Sequence, residues 1–372
     1  MSLVKKISHR SINRRDALKI GAGAGAALAT GGFASSAAAQ EVTLEVMLPN
    51  AIVSGKCREI VEKAAGVKIS DAPFQSTPDA VSRLLAPGGT SRLNINFGIV
   101  DFARQPVLGP SAGAEKVAAL DLAKIPNYAK LSAPFKPAVI ERGGKVYGVP
   151  VLLGYNTVFF NTDAVKGDDP ALQTWNALFD DKYAGKIGWF ENAHQMIFAG
   201  ALAMGKEKPS SMTDAEVREV GEFMIKKKKN VRVIWTSFAQ CANLFSTGEM
   251  TVAFGTLPVL TQLAAQGMKV SAAWPKEGVE SLIGTVFIPK DSSNQDKSHA
   301  VINAMLSDEY AKELPKVSGY LSPNAAGAEG LTAEQKLKAG YGINTGETKH
   351  NPMPIPANLN VWVEVWSKIK SA

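Results

Sequence analysis

Gly21-Ala22-Gly23-Ala24-Gly25-Ala26 fits a G-x-G-x-x-G/A pattern, and Glu41 lies twenty residues past Gly21. Those are the spacings of a dinucleotide-binding loop and its ribose acid. Such a loop needs a hydrophobic strand before it and a helix opening on it. The residues before the glycines, Asn13-Arg14-Arg15-Asp16-Ala17-Leu18-Lys19, form no strand pattern. The other reactive side chains are scattered. His9, His194, His299 and His350 belong to no H-E-x-x-H, and neither G-x-S-x-G nor a P-loop is present. Cys57 and Cys241 sit in no C-x-x-C and near no histidine at ligand spacing, which argues against zinc and iron–sulfur sites. A disulfide between them would suit an oxidising compartment but would lock distant parts of the chain together. The residues therefore point to no catalytic set, no metal and no cofactor.

The glycines have another explanation. After the arginines comes an uncharged run from Ile20 to Ala39 that ends Ala37-Ala38-Ala39. A charged start, a mild apolar run and a small-residue end describe a cleaved export signal over residues 1–39. Arg14-Arg15, with Ser11 before and Leu18-Lys19 after, resembles the twin-arginine variant. An uncleaved anchor is the competing reading, and so many glycines make a poor membrane span. No cysteine follows the run, so no lipid anchor is expected. The body is expected in the periplasm. The formal net charge of +7 belongs mostly to this segment, where Lys5, Lys6, Arg10, Arg14, Arg15 and Lys19 face Asp16 alone. The remainder is close to neutral and offers no footprint for nucleic acid.

With 372 residues the chain has room for two lobes, and its 45% hydrophobic and 20% charged residues are those of a globular protein. From Val42 onward short apolar runs alternate with helical patterns, an α/β signature. Strands are expected at 42–48, 67–70 and 93–100, with helices at 54–66 and 78–87. The stretch 144–165, interrupted by Pro150 and Gly154, is too long for an ordinary strand and reads as a crossing between lobes. Residues 281–289 read as a second crossing. Helices are expected at 192–204, 213–229 and 358–370. Trp175, Trp362 and Trp366 are expected in the core.

The order of "VYGVPVLLGYNTVFFNTDAV", "TWNALFDDKYAGKIG", "STGEMTVAFG", "AAWPKEGVESLIGTVFIP" and "SGYLSPNAA" resembles the periplasmic substrate-binding proteins of ABC importers, and most of all their spermidine/putrescine branch. The resemblance implies a two-lobed α/β fold, type II-like, each lobe a central sheet flanked by helices and hinged by crossover strands. Lobe 1 would comprise 41–151 and 286–345, lobe 2 residues 152–285, and 346–372 a C-terminal segment and helix. It also implies a small-molecule ligand, an inner-membrane permease as partner and a monomer.

Polyamine binders of this family pair ammonium groups with carboxylates and cage the chain with aromatics. Aligned to that pattern, the acid positions fall on Asn192, Gln195, Gly284 and near Ala51, and the aromatic positions on Pro49, Thr256 and Leu282. Tyr320 keeps an aromatic. The set Asn50, Asn192, Gln195 and Thr256 is neutral, so an anionic or zwitterionic ligand is expected rather than a polyamine. His194 and Gln195 open a helix, where free N–H groups favour an anion. Arg104 could pair with that anion, and Asp101 or Glu280 with an ammonium. Asn192 reads equally as a helix cap, His194 as a solvated first-turn residue, Trp235 as core and Asp101 as a loop cap. No Tyr-Tyr pair is present, which speaks against iron. The competing functions are a twin-arginine-exported periplasmic enzyme, a polyamine binder with a rebuilt site, and a ligand sensor on the same fold.

Overall fold

A computed structural model describes residues 42–86, 92–100, 103–104, 116–333, 336, 339–342, 346 and 348–372. Residues 1–41, where an export signal is expected, and Asp101 lie outside the described residues. Residues 41–372 form one compact unit. Strands β1 (Thr43–Met47), β2 (Lys68–Asp71) and β3 (Ile95–Ile99) are parallel neighbours, with helices α1 (Gly55–Ala65) and α2 (Thr77–Leu85) between them. Helix α1 stops at Gly66, whose φ of 60° is costly for any residue with a Cβ. Later in the chain, β6 (Ile187–Phe190), β7 (Val231–Trp235) and β8 (Val252–Thr256) form a second parallel set.

Two long strands join the sets. β5 (Lys145–Asn161) runs for 17 residues and β10 (Val279–Phe287) for 9, antiparallel to each other. The path through the sheet is β2-β1-β3-β10-β5-β8-β6-β7, while β4 (Ile140–Arg142) and β9 (Val270–Ala272) pair with β5, and β11 (His350–Pro352) with β10. From Val146 on, nearly every residue of β5 is buried, as a central strand covered on both faces requires. Pro150 lacks the N–H that a central strand needs. It sits opposite Thr285, where the β10 register shifts between Gly284 and Thr285.

Helices α3 (Ala193–Ala203), α4 (Asp214–Lys227) and α9 (Leu359–Ser371) pack on the second set with Trp175, Trp189, Trp362 and Trp366 in their core. Helices α5 (Phe238–Ser246) and α6 (Leu257–Ala265) cover its other side, and α7 (Gln295–Met305) and α8 (Asp308–Ser318) cover the first set. The helix expected at 192–204 is α3, and that at 213–229 is α4, started by a capping box between Thr213 and Glu216. Cys57 and Cys241 are both buried and free, each thiol pushed up to about 12 by burial. Among the described residues no helix is long and apolar enough to cross a membrane, and no group of three His, Cys, Asp or Glu could hold a metal ion.

Candidate functional site

Strand direction creates the site. β3 runs antiparallel to β10, β10 to β5, and β5 to β8, so β3 and β8 point in opposite directions. Ile99, at the carboxyl end of β3, pairs with Gly284, which pairs with Leu152 of β5; Thr256, at the carboxyl end of β8, pairs with Asn156. The two sets of carboxyl ends therefore face each other across residues 152–156 of β5. At about 3.3 Å per residue the gap is about 13 Å. Ligands of open α/β sheets bind in this position, outside the carboxyl ends of the strands.

One sheet face carries Gly154 and Asn156 of β5, Glu280 and Leu282 of β10, and Thr256 of β8, because paired residues share a face. The Tyr320 ring lies on Gly154, where an added Cβ would stand 2.9 Å from Tyr320 Cε1. Leu153 and Leu321 exchange backbone hydrogen bonds at 2.7 and 2.8 Å, which fixes Tyr320 beside the crossing. Gly284 is filled by its neighbours, since a Cβ there would collide with Phe97 and Leu152. Asn156 and Glu280 are fully buried, and Asn156 Nδ2 donates to Glu280 Oε2 at 3.0 Å. Burial holds the Glu280 carboxyl well above its ordinary range, against the weaker opposing pull of the Asn156 amide.

The second parallel set sends a helix away from each carboxyl end. Asn192 caps α3 by accepting from Gln195 N–H at 3.0 Å. Ser237 caps α5, and Thr256 begins α6 without a side-chain cap bond. None of the three has an acid in its first turn. Trp235 ends β7, is 2% exposed and packs on Phe190 with ring centroids 4.3 Å apart. The Gln195 side-chain oxygen and Trp235 Nε1 are buried without a partner among the described residues. His194 turns toward the C-terminal helix, edge-on to Trp362 and Phe198, and burial lowers its pKa to about 4.

In the first set, Asn50 is exposed in a short turn, Asn50–Ile52, that Tyr310 holds by donating to Ile52 O. Arg104 donates to Pro137 O at the edge of a cavity of about 420 Å³. Val100, Ile283, His350 and Pro354 also line it. Thr256, Gly284 and Tyr320 thus come together around the crossing strands, with Asn192, Gln195 and Trp235 at the neighbouring strand ends. His194 belongs to the packing under α9. Asn156 escaped sequence reasoning. Its one signal is an amide inside the mostly apolar run Val149–Phe160.

The fold and its matches agree. A family model described as bacterial extracellular solute-binding protein matches residues 57–339. The spermidine/putrescine-binding periplasmic protein 1 of Haemophilus influenzae is 24% identical over 279 residues, 73% of this chain and 72% of that protein. The spermidine/putrescine ABC transporter substrate-binding protein of Streptococcus pneumoniae superposes with a TM-score of 0.70 at 17% identity, over 89% of this chain and 99% of that one. A GABA receptor superposes with a TM-score of 0.59 at 17% identity, over 89% and 95%. With three quarters of its length inside that family model and a mixed sheet curled as in periplasmic binding proteins, this chain belongs to the bacterial extracellular solute-binding proteins.

Proposed function

We propose that this chain is the solute-binding protein of an ABC importer, acting in the periplasm after twin-arginine export as a monomer, and not an enzyme. It takes a small polar ligand with an anionic end between the facing strand ends and delivers it to a membrane permease. Lobes 41–151 with 286–345 and 152–285 close on it by bending at β5 and β10, and the segment 346–372 rides with the second. One observation carries the anionic end. Three helices, α3, α5 and α6, begin at the carboxyl ends of one strand set, and none carries an acid in its first turn. Their uncompensated dipoles favour a negative group. The same fold serves proteins named for polyamines and one named for a zwitterion, so fold alone leaves ligand charge open.

A second reading, a polyamine binder with a rebuilt site, draws on the spermidine/putrescine names of the relatives. Thermal-shift measurements on the mature protein separate the two. The first reading expects 4-aminobutyrate or glutarate to raise the melting temperature, at a hundred times Kd by about 2.7 kcal/mol of stability. A strong shift with putrescine or spermidine and none with the acids overturns it.

A further inference from the structure

Glu280 and Asn156 face each other from the two crossing strands, and neither side chain reaches solvent. Their one mutual hydrogen bond uses a single amide hydrogen and a single carboxyl oxygen. Glu280 Oε1 and Asn156 Oδ1 are left without a partner among the described residues. Buried acceptors without donors are rare in folded proteins and costly. Once the carboxyl is ionised, two such oxygens on one residue pair are the complement of a group rich in N–H donors, and a primary ammonium carries three. The pair also stands in the right place. Asn156 is opposite Thr256, and one pleat along the same face lie Leu282 and Gly154 under the Tyr320 ring.

We propose that Glu280 and Asn156 receive the ammonium group of the ligand, so that the solute is a zwitterion with its amine and its acid at separate ends, an ω-amino acid. This rests on the solute-binding reading above. Half-buried Leu282 and Tyr320 supply apolar contact for the short alkyl chain between the two ends. Parting of the lobes, by bending at β5 and β10, admits the ligand to this face of the sheet.

The charge then balances through one proton. Burial pushes the Glu280 carboxyl toward its neutral form. An adjacent ammonium favours the carboxylate, so binding displaces the Glu280 proton to solvent. The neighbouring titratable groups are few. His350 of β11 meets Ser281 Oγ through Nδ1 at 3.0 Å, and Glu277 accepts from Thr174 and Trp175. Tyr155 faces the opposite side of β5, Tyr320 lies over Gly154, and β3 carries no titratable residue. Burial and the Asn156 amide are the influences that act on Glu280.

Calorimetric titration with 4-aminobutyrate, glutarate and putrescine near pH 6, in two buffers of different ionisation enthalpy, tests the pocket. Wild type is expected to bind 4-aminobutyrate and release about one proton per site. Glu280→Gln is expected to weaken that binding about 100-fold and abolish the release, and to leave any glutarate binding unchanged. Equal binding of 4-aminobutyrate by both proteins overturns the proposal and makes the pair a structural acid–amide contact. Should Glu280→Gln fail to fold, Asn156→Ala takes its place, and binding of 4-aminobutyrate equal to wild type overturns the proposal. If glutarate binds and no amine does, the pocket falls while the anionic reading stands. If putrescine alone binds and depends on Glu280, the ammonium pocket stands, and both the zwitterion and the anionic reading fall.

Discussion

His299 and Glu280 are both buried and both bridge segments far apart in sequence, yet their hydrogen bonding ends differently. His299 Nε2 accepts from Asp121 N–H at 2.9 Å, and Nδ1 meets Gln295 O at 2.7 Å. Asn324, in the same half of the molecule, donates to Leu306 O and Asp308 Oδ1 and accepts from Ala326 N–H. Glu280 and Asn156 share one bond and keep two acceptors over. Burial alone therefore does not mark a binding group in this protein. Hydrogen-bonding capacity left over beside the facing strand ends is what sets Glu280 and Asn156 apart from His299 and Asn324.

The largest effect expected is on the satisfied side. Asn324→Leu strands three partners and should cost about 3 kcal/mol in urea unfolding, with ligand affinity unchanged by calorimetry. A loss below about 1 kcal/mol would break the contrast. Next comes acid sensitivity. Burial lowers the His194 pKa to about 4 from 6.5, so the unfolded chain binds the extra proton and stability falls as pH drops between those values. The loss should reach roughly 2–3 kcal/mol near pH 4, and His194→Phe should remove it from a series of melts.

A smaller effect separates the pair from a structural contact. Glu280→Leu alone orphans the Asn156 amide and should cost about 1–2 kcal/mol. Adding Asn156→Leu should bring stability back to within about 1 kcal/mol of wild type or above it. A double variant as damaged as Asn324→Leu would sink the idea. The last signal has the opposite sign to that of His194. Glu280 has a raised pKa, so the folded state holds a proton that the unfolded state has lost above its ordinary 4.5. Its contribution is full below 4.5 and fades as pH rises toward the folded value. Glu280→Gln should flatten that decline.

Much of the architecture was legible. Pro150 and Gly154 inside a long apolar run signalled a crossing strand, and Gly66 and the Thr213 start marked their helices. The family blocks gave the rest of the fold class. Helices α5 and α6 were not read. Each is nine residues long, no longer than α2, but neither has the acid in its first turn and the base in its last that mark α2. At the site, Gly284 and Tyr320 were placed by alignment, but register alone reveals that Phe97 fills the space beside Gly284. The Asn156–Glu280 pair joins residues 124 positions apart. No local spacing encodes such a meeting, since it arises only when two antiparallel strands settle on one register.

The sheet order also dictates when the molecule can be finished during synthesis. β3 finds its second neighbour in β10, and α1 packs on α7 and α8, so the amino-terminal strands wait for partners made near the end of translation. Residues 152–285 hold β6, β7, β8 and most of β5 in one continuous piece, yet their core too is completed late, by Trp362 and Trp366 of α9. A nascent chain stalled before Val279 would carry β3 as an open edge. That open edge lies among residues 43–99 and is covered when β10 docks.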